Sequence, residues 1–267
     1  MKRLLLLLLL LPSITWAGDN DDWGTWLELG AEKALPYNME VGLEGEFRTK
    51  DNSSVTDRWS IGAYFGYKAH KYLKLNVGYS IMMDYSKEKK SKESYDEDDE
   101  LESYRLTPSY WSPRHRVFLD ATSGIKFWKW LRLSARLRYQ YTYQPSYDVE
   151  RIDYERNDMF TPEGLITTWE EESNPKTYPS ENRQVLRSRI KLEVDKKHLN
   201  WSPFVSVEFH NDIASSMNFD KLRTAVGTGY KISKQHKVSL SYVYTLNRMK
   251  HPFDNFHALS ASYSFGF

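Results

Sequence analysis

The chain closes on His257-Ala258-Leu259-Ser260-Ala261-Ser262-Tyr263-Ser264-Phe265-Gly266-Phe267. Leu259, Ala261, Tyr263, Phe265 and Phe267 alternate with Ala258, Ser260, Ser262, Ser264 and Gly266. A period of two sends successive side chains to opposite faces of a strand. This strand therefore carries one apolar, aromatic face and one small, polar face, and it needs two different environments.

The same pattern recurs upstream. Trp23 to Leu35 sets Leu27, Leu29 and Ala31 against Glu28, Gly30 and Glu32, and Pro36-Tyr37-Asn38 predicts a tight turn. Met39, Val41, Leu43, Gly45 and Phe47 then oppose Glu40, Gly42, Glu44, Glu46 and Arg48. Trp59 to Tyr67 and Leu73 to Met83 form a second alternating pair, joined through Ala69-His70-Lys71-Tyr72. A third hairpin runs from about His115 to Gln144 and turns at Phe127 to Trp130. Its second strand sets Leu131, Leu133, Ala135, Leu137, Tyr139 and Tyr141 against Arg132, Ser134, Arg136, Arg138, Gln140 and Thr142. In the fourth, Gln184 to His210, Leu186, Ile190, Leu192 and Val194 oppose Arg187, Arg189, Lys191 and Glu193. The fifth spans Leu222 to Asn247.

The strands are about ten residues long, enough for a tilted strand to cross hydrocarbon. Short turns at Pro36, His70, Trp128, His198 and Gln235 alternate with longer polar connections, the longest being Ser86 to Pro113 and Pro145 to Arg183. That asymmetry is the standing one of membrane barrels, with short turns on one side and long loops on the other. The expected fold is all-β: a transmembrane antiparallel β-barrel of ten to twelve strands. About eleven segments are visible, whereas single-chain bacterial barrels normally close with an even number. Either the lead before Trp23 threads the lumen or one crossing is missing from the count. A soluble β-sandwich would also alternate, but with shorter strands of about five or six residues.

At the other end, Met1-Lys2-Arg3, the leucine run Leu4 to Leu11 and the small-residue exit at Ala17 predict a cleaved signal peptide, residues 1–17. The apolar run falls short of the roughly 20 residues a spanning helix needs. Residues 18–267 are then one domain, the barrel. No cysteine follows, which argues against a lipid anchor. Charged residues make up 27% of the chain, a soluble-looking value, yet a barrel spreads its apolar surface over every second residue. Aromatics reach 15%, including 19 Tyr and 9 Trp, enough to supply belts at two interfaces. Losing Lys2 and Arg3 takes the formal charge from +1 to −1, so nothing points to nucleic acid.

Several stretches resemble the Gram-negative, mainly Bacteroidota, outer-membrane barrels grouped as domain-of-unknown-function family 2490. They are Asp22-Trp23-Gly24-Thr25-Trp26, Glu44-Gly45-Glu46-Phe47-Arg48 with Asp51-Asn52, Asp57-Arg58-Trp59, Tyr67-Lys68, Leu73-Lys74-Leu75, Gly78-Tyr79 and Asp254-Asn255-Phe256-His257. The resemblance implies the fold and a Gram-negative outer-membrane location, and it carries no assigned activity. The aromatic end is similar to the closing strand of such barrels. That likeness implies that Tyr263, Phe265 and Phe267 are the signal read by the barrel assembly machinery. Membrane lipid and lipopolysaccharide are the other partners expected.

If every second residue points inward, Arg132, Arg136, Arg138, Arg187, Arg189 and Lys191 make a basic lumen wall, continued by Lys221 and Arg223. Glu28, Glu32, Glu40, Glu44 and Glu46 make an acidic wall, with Glu208 further on. Ladders of charge can select ions; alternatively, paired side chains can fill a narrow barrel, the outcome favoured at about eleven strands. The expected function is a narrow channel or a structural envelope protein. A lipid-modifying hydrolase and a surface docking or adhesin barrel are the alternatives. No serine-hydrolase signature is present, and the rim cluster His210, Asn211, Asp212, Ser215 and Ser216 is the nearest thing to one. The run from Ser86 to Glu102 lacks calcium-loop spacing and reads as a solvated, mobile loop. The aromatic-rich 145–183 connection could fold over the mouth. No metal or cofactor is expected.

Overall fold

A computed structural model describes residues 21–97, 99–162, 164–196, 198–214, 217–247 and 255–267. The expected signal peptide lies outside the described residues. Seventeen strands occur among the described residues. They are β1 (Asp22–Leu35), β2 (Met39–Lys50), β3 (Val55–His70), β4 (Leu73–Ser86), β5 (Lys89–Tyr95), β6 (Leu101–Thr107), β7 (Tyr110–Phe127), β8 (Leu131–Gln144) and β9 (Tyr147–Val149). They continue with β10 (Ile152–Thr161), β11 (Gly164–Ser173), β12 (Lys176–Tyr178), β13 (Glu181–Val194), β14 (Trp201–Asp212), β15 (Asn218–Lys231), β16 (His236–Asn247) and β17 (Asn255–Gly266).

Eleven of these close a barrel in the order β1-β17-β16-β15-β14-β13-β8-β7-β4-β3-β2. Ten of the strand contacts are antiparallel hairpin neighbours, and the eleventh, β1 with β17, is parallel over Asp22↔Phe256 to Glu32↔Gly266. The parallel seam settles the odd count. Ten reversals between eleven strands put β1 and β17 in the same direction, so closure needs neither a threaded lead nor a further crossing. The expectation of an all-antiparallel wall is corrected at this one pair.

Alternation determines which way each side chain points. Leu29 on β1 and Leu43 on β2 are 64% and 60% exposed on the outer surface. Their outward neighbours around the wall include Ile61, Val77, Leu119, Leu137, Ile190, Val205, Leu240 and Leu259, all exposed. Asp120 and Glu208 point the other way and are only 2% and 3% exposed. The molecule is thus apolar outside and ionic inside. Inward glycines make room where rings cross the interior: a methyl group at Gly42 would overlap the Tyr64 ring, and one at Gly78 the Phe118 ring.

The turns between Leu35 and Met39 and between Phe127 and Leu131 each place two residues at positive φ, Tyr37 with Asn38 and Trp128 with Lys129. This is the backbone that matches the strand twist in two-residue hairpin loops. At the seam, Trp23 stacks on His257 with ring centroids 4.8 Å apart. The His257 ring meets the Tyr242 hydroxyl through Nδ1 at 2.6 Å and the Asp21 carboxylate through Nε2 at 3.3 Å. The Asp22 carboxylate accepts from the backbone N–H groups of Asp51 and Asn52. These contacts fasten the first strand on both sides.

Beyond the rim the wall continues. A four-stranded sheet, β11-β10-β6-β5, and the pair β9-β12 grow out of the connections β4–β7 and β8–β13. The stretch read as a solvated loop, Ser86 to Glu102, is instead largely strand and turn, and its acids hold a partner. Asp96, Glu100 and Asp158 converge on the guanidinium of Arg156 at 2.5, 2.8 and 3.0 Å. Tyr104 of β6 stacks on Tyr154 of β10 at 4.7 Å, with Trp169 edge-on at 5.4 Å. Arg105 and Asp153, opposite one another in β6 and β10, are joined by two hydrogen bonds. The hydrogen bond from Arg105, helped by one from Asn174, holds the Asp153 carboxyl down at about 2. The sequence gives no alternating apolar face here because the partner strands, not a core, define these elements.

Candidate functional site

The candidate site is the barrel interior. Inward positions on β7, β8, β13 and β15 carry most of the cations, and their partners sit on neighbouring strands. Arg138 lies opposite Asp120 and bonds both of its oxygens, at 2.5 and 2.6 Å. Glu208 accepts from Arg187 at 2.6 Å and from Arg136 at 2.7 Å, and the His210 ring meets it at 2.9 Å. Arg58 pairs with Asp84, which also takes Arg114 at 2.9 Å. On the other wall Arg48 bonds Glu46 at 2.6 Å. Buried ions persist only when paired or hydrogen-bonded, which is what these contacts provide.

Between the walls lie two cavities. One, of about 450 Å³, is lined by Glu28, Glu44 and Glu46 on one side and Arg136, Arg138, Arg189 and Lys191 on the other. The second, of about 200 Å³, lies towards the long-loop end. Arg48, Arg116, Arg187 and Arg223 line both, so a layer of four guanidinium groups separates them. Trp26 supports that layer from inside the seam, with the Arg48 guanidinium 4.1 Å and the Arg223 guanidinium 4.7 Å from its ring centre. Such stacking leaves the planar donors free to hydrogen-bond in their own plane.

The predicted site residues are distributed as follows. Arg136, Arg138, Arg187, Arg189 and Lys191 share the larger cavity with Glu28, Glu44 and Glu46. The two walls face each other over that cavity: among the described residues, no ion pair joins Glu28 or Glu44 to the basic wall. Arg132 follows the same parity but is exposed near the short-turn end, opposite Lys126 and Glu193. Glu40 pairs with Lys74, and Glu32 accepts from the Tyr64 hydroxyl at 3.4 Å. Phe267 packs 5.1 Å from Phe265, and Tyr263 meets the His236 ring at 2.6 Å. His210 sits inside the barrel on Glu208, and Asn211 donates to the Met217 carbonyl at 3.1 Å. Ser215 and Ser216 lie outside the described residues.

Sequence reading did not single out Asp120, Asp84, Arg58, Arg114 and Arg116 as lumen groups. The signal was there: Arg114, Arg116, Phe118 and Asp120 share one parity on β7. Phe118 inside and His115 outside blurred the apolar alternation that would have exposed it.

A search among curated proteins finds no match. The family described as "Protein of unknown function (DUF2490)" matches residues 23–257, which spans the barrel from β1 into β17. By that match, on an eleven-stranded barrel with an ionic interior, the chain belongs to the DUF2490 family.

Proposed function

We propose that this chain spans the Gram-negative outer membrane and acts there as a narrow channel with a charged lumen. One observation carries the reading: apolar side chains cover the outer wall while carboxylates and guanidinium groups fill the interior. Water would favour the opposite arrangement. Aromatic residues border the apolar band at both ends, as interfacial belts do. Trp59 and Tyr67 stand eight residues apart on the outer face of β3, about 26 Å along the strand. With the usual barrel tilt of about 40° that is about 20 Å along the axis, close to the ~25 Å apolar band of such barrels.

The two cavities and the arginine layer between them favour a constricted conduit over an open pore. Eleven strands are few for a wide aqueous channel, which appears at about 16. Membrane fractionation of cells expressing the full chain tests the location, with heat-modifiable migration in detergent as the sign of a folded barrel. Unitary currents in planar bilayers test the conduit, and recovery of folded protein in the soluble fraction would overturn the whole reading. A lipid-modifying hydrolase is the reading the geometry favours less. Among the described residues, no serine hydroxyl bonds a histidine ring, and His210 points away from the lipid face.

A further inference from the structure

We propose that the cavity at the long-loop end of the lumen binds a compact, multivalent oxyanion of the phosphate class. The inference rests on reading the barrel interior as a lumen, and it names what that lumen holds.

Seven arginines and one lysine line this cavity, against two carboxylates, Glu181 and Asp220. Nearby acids offset only part of that charge. Arg58 and Arg114 share Asp84. Arg48 is held by Glu46, Arg187 by Glu208, and Arg183 by Asp220 with Asp212 at 3.6 Å. Three cations are left over. Among the described residues Arg116 and Lys221 make no ion pair, and Arg223 reaches Glu208 only at 3.9 Å, where Arg136 and Arg187 already bond. The Nε atoms of Arg48, Arg116 and Arg223 are buried without any hydrogen-bond partner.

Unpaired cations in a confined site are costly, and a bound anion removes that cost. Several cations without a close counter-charge favour a multivalent ligand over a halide. Guanidinium forks arriving from different strands, Arg48 on β2, Arg116 on β7 and Arg223 on β15, suit the several oxygens of a phosphate group. All three point inward, so the ligand reaches them as a solute from the lumen and not as a lipid headgroup from the surrounding membrane.

The test is titration calorimetry of the detergent-solubilised full barrel with pyrophosphate, beside bilayer recordings on the same preparation. Saturable binding is expected. The double variant Arg116→Met with Lys221→Met should weaken it by about tenfold or more, given the usual strength of charge-assisted bonds. Lys221→Gln alone serves if the double variant does not fold, and Lys71→Gln in a distant turn should bind like the parent. A parent barrel that folds, as heat-modifiable migration reports, yet takes up no pyrophosphate overturns the proposal. So does binding unchanged in a folded Lys221→Gln barrel. Binding without any current keeps the oxyanion site and removes the conduit, so the two readings fail separately.

Discussion

Arg138 lays two guanidinium nitrogens on the two carboxylate oxygens of Asp120, directly across from it on the neighbouring strand, at 2.5 and 2.6 Å. Asp120 is almost fully enclosed, and the Arg138 guanidinium also stands 4.1 Å from the Phe118 ring centre. The barrel wall is therefore braced from within by a buried, bidentate ion pair.

Asp120→Ala leaves a buried guanidinium without its counter-charge and should destabilise the barrel by about 3–5 kcal/mol. Replacing both members, Asp120→Leu with Arg138→Met, should recover most of that loss, because the desolvation cost goes with the charges. Urea midpoints of the refolded barrel in vesicles measure both. Equal losses in the single and double variants would mean that Asp120 acts through something other than Arg138.

On the outer face, Ile61→Arg puts a cation on the exposed apolar wall. A loss of about 2–4 kcal/mol is expected if the residue sits near the bilayer midplane. The inward neighbour substitution Ser60→Thr should cost far less. Unfolding in vesicles separates the two, and similar small effects at both positions would count against a lipid-facing wall.

The outer sheet should respond to acid. Its Asp153 carboxyl is held at about 2 by Arg105, below the ordinary carboxylate value. The stabilisation is therefore complete above pH about 4 and is lost as the pH falls through about 2. The near-ultraviolet dichroism of the Tyr104, Tyr154 and Trp169 cluster should fade over that window. In Asp153→Asn the fading should be absent or displaced, and an identical acid profile in the variant would contradict the assignment.

Lys129 holds a positive φ of 58° in the β7–β8 turn, a conformation that costs a side chain but not glycine. Lys129→Gly should stabilise the hairpin by about 1 kcal/mol. A lower urea midpoint would show that the lysine makes a contact worth more than the backbone relief.

The barrel was legible because parity is local. Each strand announces its own two faces, so Arg136 with Arg138, Arg187 with Arg189, and Glu44 with Glu46 could be put inside from sequence alone. What local patterns cannot carry is which strands meet. The parallel β1–β17 seam joins residues more than two hundred positions apart, and no spacing encodes its direction. The same limit hid the outer sheet: Lys89-Lys90-Ser91-Lys92-Glu93-Ser94-Tyr95 has little strand preference and becomes β5 because β6 lies beside it. His210 and Asp212 sit close in sequence to two serines, which suggested a rim cluster; strand parity turns both side chains inward instead.

Five hairpins and one supernumerary strand make this fold, and that arithmetic limits how it can be rewired. In an even-stranded barrel the two ends of the chain emerge on the same side, and a short loop could join them. Here β17 finishes at the opposite mouth from the one where β1 begins. A circular permutant would have to carry its new connection along the full length of the barrel, a dozen or more residues. The odd strand thus fixes where this sequence can be cut and resealed.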